Sequence, residues 1–324
     1  MISINVLKDA QKVIQEQTGR RPKIRCFFSE NNREAYRKLE SAIAPHNDPE
    51  RNFEIRTYCG EFEDAISDIQ NFIGTSFPLL FIDPTGWTGY SFDKIKILFD
   101  RQKCEVLINF MYDFVNRAAS MNDPKTVASL NPILGGANWQ NRLDPTITRG
   151  RAVEKLFRET LREAGDFDYV VSTKIDRATA DRPHFFIVYG TKSHNGLETF
   201  REIEYRALQG HARDRANARE RKRENKIGAA DLFHGLDADI QEMTIDDLVE
   251  EQKRFAKQQL IEMLDEFGLD FSIVTHSLLQ TYILRVTNVK DICVELAKAG
   301  VIESTWGGGN RKPDRNSVIV LRKK

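Results

Sequence analysis

Glu30, Glu61 and Asp83 are three acidic residues that each close or follow a strand-sized run of the chain. Glu30 ends Lys23-Ile24-Arg25-Cys26-Phe27-Phe28-Ser29, and Glu61 lies just beyond Phe53–Tyr58 in Cys59-Gly60-Glu61. Asp83 ends Phe77-Pro78-Leu79-Leu80-Phe81-Ile82, an apolar run bounded by Pro and Gly that reads as a buried strand of a parallel sheet. In open α/β sheets, ligands bind just outside the carboxyl ends of such strands. A carboxylate at Glu30 is placed to accept hydrogen bonds from two ribose hydroxyls, and one at Glu61 to receive an adenine amine, so both are candidate cofactor-binding residues. Each also has a plainer account: Glu30 caps the helix that follows it, since carboxylates favour helix N-termini. Asp83-Pro84-Thr85-Gly86-Trp87 places an acid, a proline, a small residue and an aromatic at one strand edge. Its plainer account is a Pro-Gly turn beside a half-buried tryptophan.

The elements that position these residues alternate. Helical patterns cover about 3–17, the segment carrying Tyr36, Leu39 and Ile43, then 62–73, 94–99 and 151–164. Between them lie strands near 24–29, 53–58, 77–82 and 105–110, and a close pair at 167–173 and 184–189 suits an antiparallel edge. Strands alternating with helices of this length predict an α/β fold, a mostly parallel sheet covered on both faces. The connection 120–150 is long enough to be a lid, with Trp139 either closing over a ligand or packed beneath the loop.

The Asp83-Pro84-Thr85-Gly86-Trp87 order resembles the Asp-Pro-Pro-Tyr type motif of methyltransferases that modify the exocyclic amine of a base. That likeness implies that Asp83 and the Pro84 carbonyl accept hydrogen bonds from the amine while Trp87 stacks on the base. Ser29-Glu30, the 62–73 helix, Leu80 to Trp87, Val106-Leu107-Ile108-Asn109-Phe110 and Gly190-Thr191-Lys192-Ser193-His194-Asn195-Gly196-Leu197 together resemble the three-Cys-motif partner protein family, over about residues 24–225. The resemblance implies a Rossmann-like, methyltransferase-type fold, S-adenosylmethionine as cofactor, and partnership with a cysteine-motif protein that resembles radical-SAM enzymes. This chain departs from that pattern in one respect. The glycine-rich loop that grips the methionine part of the cofactor belongs after a first strand, ahead of the 3–17 helix, and no Gly-x-Gly precedes Glu30. The strands ending at Glu30 and Asp83 are then expected to flank a gap. A misplaced start, direct pairing of the two strands, or a strand from another chain would each resolve it.

The second half changes character. Residues 210–226 hold seven Lys or Arg against three Asp or Glu, with no apolar stripe, and read as a solvated helix or a phosphate-backbone contact. Residues 227–250 are acidic and read as a loop-rich junction. From Glu251 the chain predicts three helices and a hairpin, which describes a winged helix. The first helix would carry Phe255, Leu260, Ile261, Leu264 and Phe267 on one face, the third would be capped by Asn288, and the hairpin strands would be 301–306 and 317–321. From Ser272 onward nine basic residues stand against four acidic ones. Lys290 near the third helix start, and Asn310, Arg311, Lys312 and Arg315 on the wing, are therefore candidate nucleic-acid contacts. The expected organisation is an α/β domain at 1–208, a basic helix and linker at 209–250, and a winged helix at 251–324.

Composition narrows the classes. The 324 residues carry 48 basic and 48 acidic side chains, so the chain as a whole has no nucleic-acid or membrane signature. Cys26, Cys59, Cys104 and Cys293 are scattered, no Cys-x-x-Cys exists, and no metal site is expected; reduced thiols in a cytoplasmic protein fit this usage. No apolar run reaches spanning length. Ser193-His194 lies in no Gly-x-Ser-x-Gly elbow, which argues against a hydrolase. Two classes remain: a methyltransferase-like enzyme acting on or binding nucleic acid, and a non-catalytic docking partner built on the same sheet.

Overall fold

The computed structural model describes residues 2–84, 90–121, 123–227, 236–264, 267–307 and 311–322. The architecture is mixed α/β. Helix α1 (Ile2–Thr18) leads into strand β1 (Ile24–Glu30), helix α2 (Arg33–Ile43) and strand β2 (Phe53–Cys59). β1 and β2 pair in parallel, from Ile24 opposite Phe53 to Glu30 opposite Cys59. Gln11 anchors α1 to the start of this pair: its Nε2 donates to the carbonyls of Pro22, Arg51 and Asn52 at 2.8, 3.2 and 3.2 Å. Ile4, Cys26, Ile43, Phe53 and Ile55 close a small core between these elements. Asn32 caps α2, its side chain accepting from the amides of Glu34 and Ala35.

A second sheet has the order β3-β4-β6-β5. β3 (Leu79–Ile82) and β4 (Glu105–Phe110) are parallel, while β5 (Tyr169–Arg177) and β6 (Ala180–Thr191) form the expected antiparallel hairpin, with β6 also antiparallel to β4. Helix α3 (Ile66–Ile73) leads into β3, and α4 (Phe92–Phe99), α5 (Tyr112–Ser120), α6 (Pro124–Ala128), α7 (Asn131–Leu134) and α8 (Arg149–Gly165) lie along the chain between these strands. Leu80, Ile82, Val106, Ile108 and Phe110 join Phe99, Leu134 and Phe157 in the main core. Phe110 stacks on Phe157 with ring centroids 4.1 Å apart.

Two expectations are corrected here. The strand ending at Ile82 is not buried on both faces: Leu79 and Phe81 are 56% and 63% exposed, because only the opposite face packs on helices. The 120–150 connection is no lid. It contains α6, α7 and a 3₁₀ turn, and Trp139 is fully buried in the main core.

The remainder is mostly helical. Helix α9 (His194–Ile227) packs against α10 (Leu236–Met263), and then come β7 (Leu269–Asp270), α11 (Phe271–Thr281), α12 (Val286–Lys298) and β8 (Val318–Ile319). The expected boundaries at 208 and 250 both fall inside continuous helices. The basic segment 210–226 is the distal half of α9, and Ala212, Ala216 and Glu220 on it are buried, so small residues supply the packing stripe that large ones do not. The expected junction is helical from Leu236. Phe255 and Phe267 are exposed, 59% and 87%, so the apolar face of the first C-terminal helix is carried by Ala256, Leu260 and Leu264. Asn288 sits inside α12, where its Oδ1 accepts the Arg285 amide at 2.8 Å. The expected 301–306 strand reduces to one bridge, Ile302 with Leu321, and β8 pairs instead with β7.

A second core ties this region to the sheet, since Val171, Tyr189 and Leu197 share one cluster with Leu260, Leu278, Ile292 and Ile319. A buried ion pair within α9 anchors hydrogen bonds across the same junction. Arg201 holds Glu204 at 2.5 Å and donates to the Leu279 carbonyl at 2.7 Å, and Thr173 on β5 donates to Glu204. Among the described residues no helix is long and apolar enough to cross a membrane.

Candidate functional site

Glu30, Glu61, Asp83 and Pro84 line one cleft of about 410 Å³. Glu30 is the last residue of β1, Glu61 lies two residues past β2, and Asp83 immediately follows β3. Each stands at a carboxyl end because its parallel strand delivers it there. α3 forms part of the cleft through Ile69, Phe72 and Ile73. Phe72 is sandwiched: the Phe27 ring is 5.8 Å away, and the guanidinium groups of Arg25 and Arg56 lie 4.1 and 4.6 Å from its centre. Tyr90 closes another wall, and burial pushes its phenol far above its ordinary range.

Among the described residues each carboxylate has one donor. Glu30 Oε1 accepts from the Asn32 amide at 2.8 Å; it steadies the turn ahead of α2, while Asn32 does the capping. Glu61 Oε1 accepts from Asn31 Nδ2 at 3.1 Å, and Asp83 Oδ1 from Asn109 Nδ2 at 2.6 Å. None of the three is in an ion pair with a described Lys, Arg or His. Among the described residues the second oxygen of each has no donor, and it can accept from a hydroxyl or amine entering the cleft.

Asn109 went unassigned in the sequence. Its side-chain oxygen is buried without a partner among the described residues, next to the carboxylate its nitrogen holds. Asp83 lines the cleft and Asn109 stands behind it, outside the lining, so Asn109 acts by holding the Asp83 carboxylate. The available signal was a polar residue near the carboxyl end of an otherwise apolar strand. Thr85, Gly86 and Trp87 lie outside the described residues, so the stacking expected of Trp87 has no geometry here.

The Glu30 and Glu61 carboxylates line the same cleft and are acceptors of the kind that hydroxyl or amine groups of a nucleoside require. No described residue cradles the methionyl half, because no glycine-rich turn borders the cleft between β1 and β3. Among the described residues no three His, Cys, Asp or Glu side chains gather as metal ligands.

The second group of candidates is dispersed, and two of its four cations are paired with carboxylates. Lys312 pairs with Asp291 on α12 at 2.5 Å. Arg315 is turned away from the wing surface onto α9, with Nη2 at 2.9 Å from both Asn195 Oδ1 and Glu198 Oε2. Lys290 is half-buried on α12 and Arg311 is exposed, its carbonyl accepting from the Trp306 indole at 3.0 Å. Asn310 lies outside the described residues. Beside Arg315, His276 Nε2 is 3.0 Å from Glu198 Oε1 and stacks on His194 with centroids 4.1 Å apart. No protein-family model matches the chain, and no curated protein matches it.

Proposed function

We propose that this chain is a methyltransferase-like protein of the three-Cys-motif partner type, whose cleft at Glu30, Glu61 and Asp83 takes a nucleoside-containing ligand. S-adenosylmethionine is the expected ligand, and an amine is the group presented to Asp83, whose carboxylate Asn109 holds. The observation that carries this reading is the convergence of three acceptors from three parallel strand ends on one cleft. The strand order supports a Rossmann-like reading. Set side by side, β2-β1 and β3-β4-β6-β5 give the order of a methyltransferase-type sheet with one position vacant between β1 and β3. When bound, the cofactor would supply an electrophilic methyl group. The chain's own residues bind the ribose and base and hold the acceptor amine in place. Nucleoside binding is the property that the three acceptors at the cleft support best.

The alternative, a non-catalytic docking partner, is favoured by the same vacancy. In either case the order helix, strand, helix, helix, bridge, strand over 236–322 supports a winged-helix reading of the C-terminal region, with nucleic acid or protein as its partner. A partnership with a cysteine-motif, radical-SAM-like protein rests on the family likeness alone.

Calorimetric titration tests the nucleoside reading. Adenosine and S-adenosylhomocysteine should bind with similar, weak affinity, since the amino-acid tail finds no cradle. Glu30→Gln should weaken both about tenfold, the size expected for a hydrogen bond to a charged group. Absence of binding by either ligand would sink the reading.

A further inference from the structure

The four-stranded sheet has a second face, opposite the main core, and α9 crosses it without filling the space. Leu107 of β4 stands opposite Tyr189 of β6, and Ile187 of β6 opposite Thr173 of β5, so alternate residues of three strands look to this side. On α9, Gly196, Phe200, Glu204 and Leu208 recur at every fourth position and turn one helix face onto them. Between sheet and helix lies a pocket of about 520 Å³, within the size range of small-molecule sites. It runs beside the helix from Asn195 to Leu208, a length of about 20 Å. Its charge is of one sign: Glu105 and Glu204 line it, and no Lys, Arg or His does. Glu204 is answered inside the protein by Arg201 and Thr173. Glu105, the first residue of β4, is in no ion pair with a described Lys, Arg or His. Gly196 lets α9 come close to it, since a Cβ there would meet Glu105 Oε1 at 2.6 Å and Tyr189 Oη at 2.8 Å. The Tyr189 ring in turn lies parallel to Phe200 with centroids 4.4 Å apart, so an aromatic wall adjoins the carboxylate.

We propose that this pocket is a second ligand site, for a lipophilic amine: the ammonium group sits at Glu105 beside the Tyr189–Phe200 pair, and the apolar body lies along α9 towards Leu208. Three observations select this class. A carboxylate without a counter-charge, in a lining with no basic residue, attracts a cation and turns away an anion. An aromatic wall next to that carboxylate adds attraction for the same cation. The rest of the path, at Leu107, Ile175, Ile187 and Leu208, is apolar and suits a hydrocarbon body rather than a sugar or a phosphate. None of Glu30, Glu61 and Asp83 lines this pocket, so the inference is independent of the nucleoside reading.

The test is calorimetric titration of the full chain with phenylhexylamine, phenylhexanol and phenylhexanoate, which differ only in the head group. The amine should bind about tenfold or more tightly than the alcohol, the size expected for a hydrogen bond to a charged group, and the carboxylate more weakly than either. Glu105→Gln should bring the amine down to the affinity of the alcohol and leave the alcohol as it was. Retained alcohol binding shows in the same sample that the pocket is folded. Ala207 lines the apolar end and is exposed, so Ala207→Phe blocks the path without disturbing a core, and it should weaken amine and alcohol alike by about tenfold. Adenosine titration of both variants should match the parent protein. Four results would overturn the proposal. One is no binding of the amine at millimolar concentration, which would mean that protein fills the space. Another is equal affinity for amine and carboxylate. The third is an advantage of amine over alcohol that survives Glu105→Gln, and the fourth is amine binding that ignores Ala207→Phe.

Discussion

At the scale of single residues, the carboxylates were legible and their surroundings were not. Glu30, Glu61 and Asp83 could be placed at or just past strand ends because strand periodicity puts a run's end at a sheet edge, and the structure brings all three to one cleft. Asn109 could not be given its role, since pairing β4 with β3 is a tertiary fact and only that pairing brings its amide 2.6 Å from Asp83. Trp139 was left between two accounts because a loop aromatic has no periodicity to assign its face. Its burial now decides between them. Trp139→Ala should destabilise the fold by about 3–5 kcal/mol, the usual cost of emptying a large aromatic site, as read from urea denaturation. Adenosine affinity, extrapolated to the folded fraction, should stay as in the parent. A variant of unchanged stability with lost ligand affinity would restore the lid.

At the scale of elements, the α/β alternation was legible through Asp83, but the length of the C-terminal helices was not. Residues 210–226 lack large apolar residues, and Ala212 and Ala216 give too weak a signal to mark a packed face. Phe255 and Phe267 misled in the opposite sense, because hydrophobic type alone does not say which face of a helix meets a neighbour. The docking of α11 onto α9 has a titratable element. Burial pushes the His276 imidazole below its ordinary range, Glu198 opposes that shift, and the stacked His194 and nearby Arg315 reinforce it; the Tyr169 ring lies 6.0 Å away. His211 on α9 is lowered as well, by burial and by Arg215. Both histidines therefore take up protons at higher pH in the unfolded chain than in the folded one. Their contribution is complete above about pH 6.5 and is lost as pH falls through the folded values. Glu295, which burial raises but Lys257 and Lys253 pull below the usual carboxylate range, changes only under about pH 4.5, outside this window. The urea midpoint should thus fall on acidification from about pH 7 to pH 5, and His276→Gln should flatten part of that fall. A midpoint that rises over this interval, or a fall that the variant leaves intact, contradicts the assignment.

At the scale of the whole molecule, the shared core of β5, β6, α9 and the C-terminal helices changes what the basic C-terminal region can do. Sequence counts gave that region nine basic residues against four acidic ones from Ser272 onward, a sum that ignores where each side chain goes. In the folded chain Arg315 is spent on Glu198 and Asn195, and Lys312 on Asp291. The sequence could not show this, because Glu198 reaches the wing only through the packing of α9 against α11. A duplex phosphate must therefore compete with a carboxylate for each of these cations, and counterion release yields less than the charge count implies. Asp291→Asn removes one competitor while leaving Lys312 in place and exposed. If the wing contacts the phosphate backbone, fluorescence anisotropy on a short duplex should show tighter binding for this variant. Its log–log salt dependence should steepen by roughly 0.9, the increment for one added phosphate contact. Lys312→Ala in the same background should return both quantities to the parent values. Tighter binding without a change of slope would place the effect away from the phosphates. No binding by either protein at about 50 mM salt, where such contacts are strong, would leave a protein partner as the ligand of this region. The exposed Arg311 would then act as a rim charge that keeps the wing soluble.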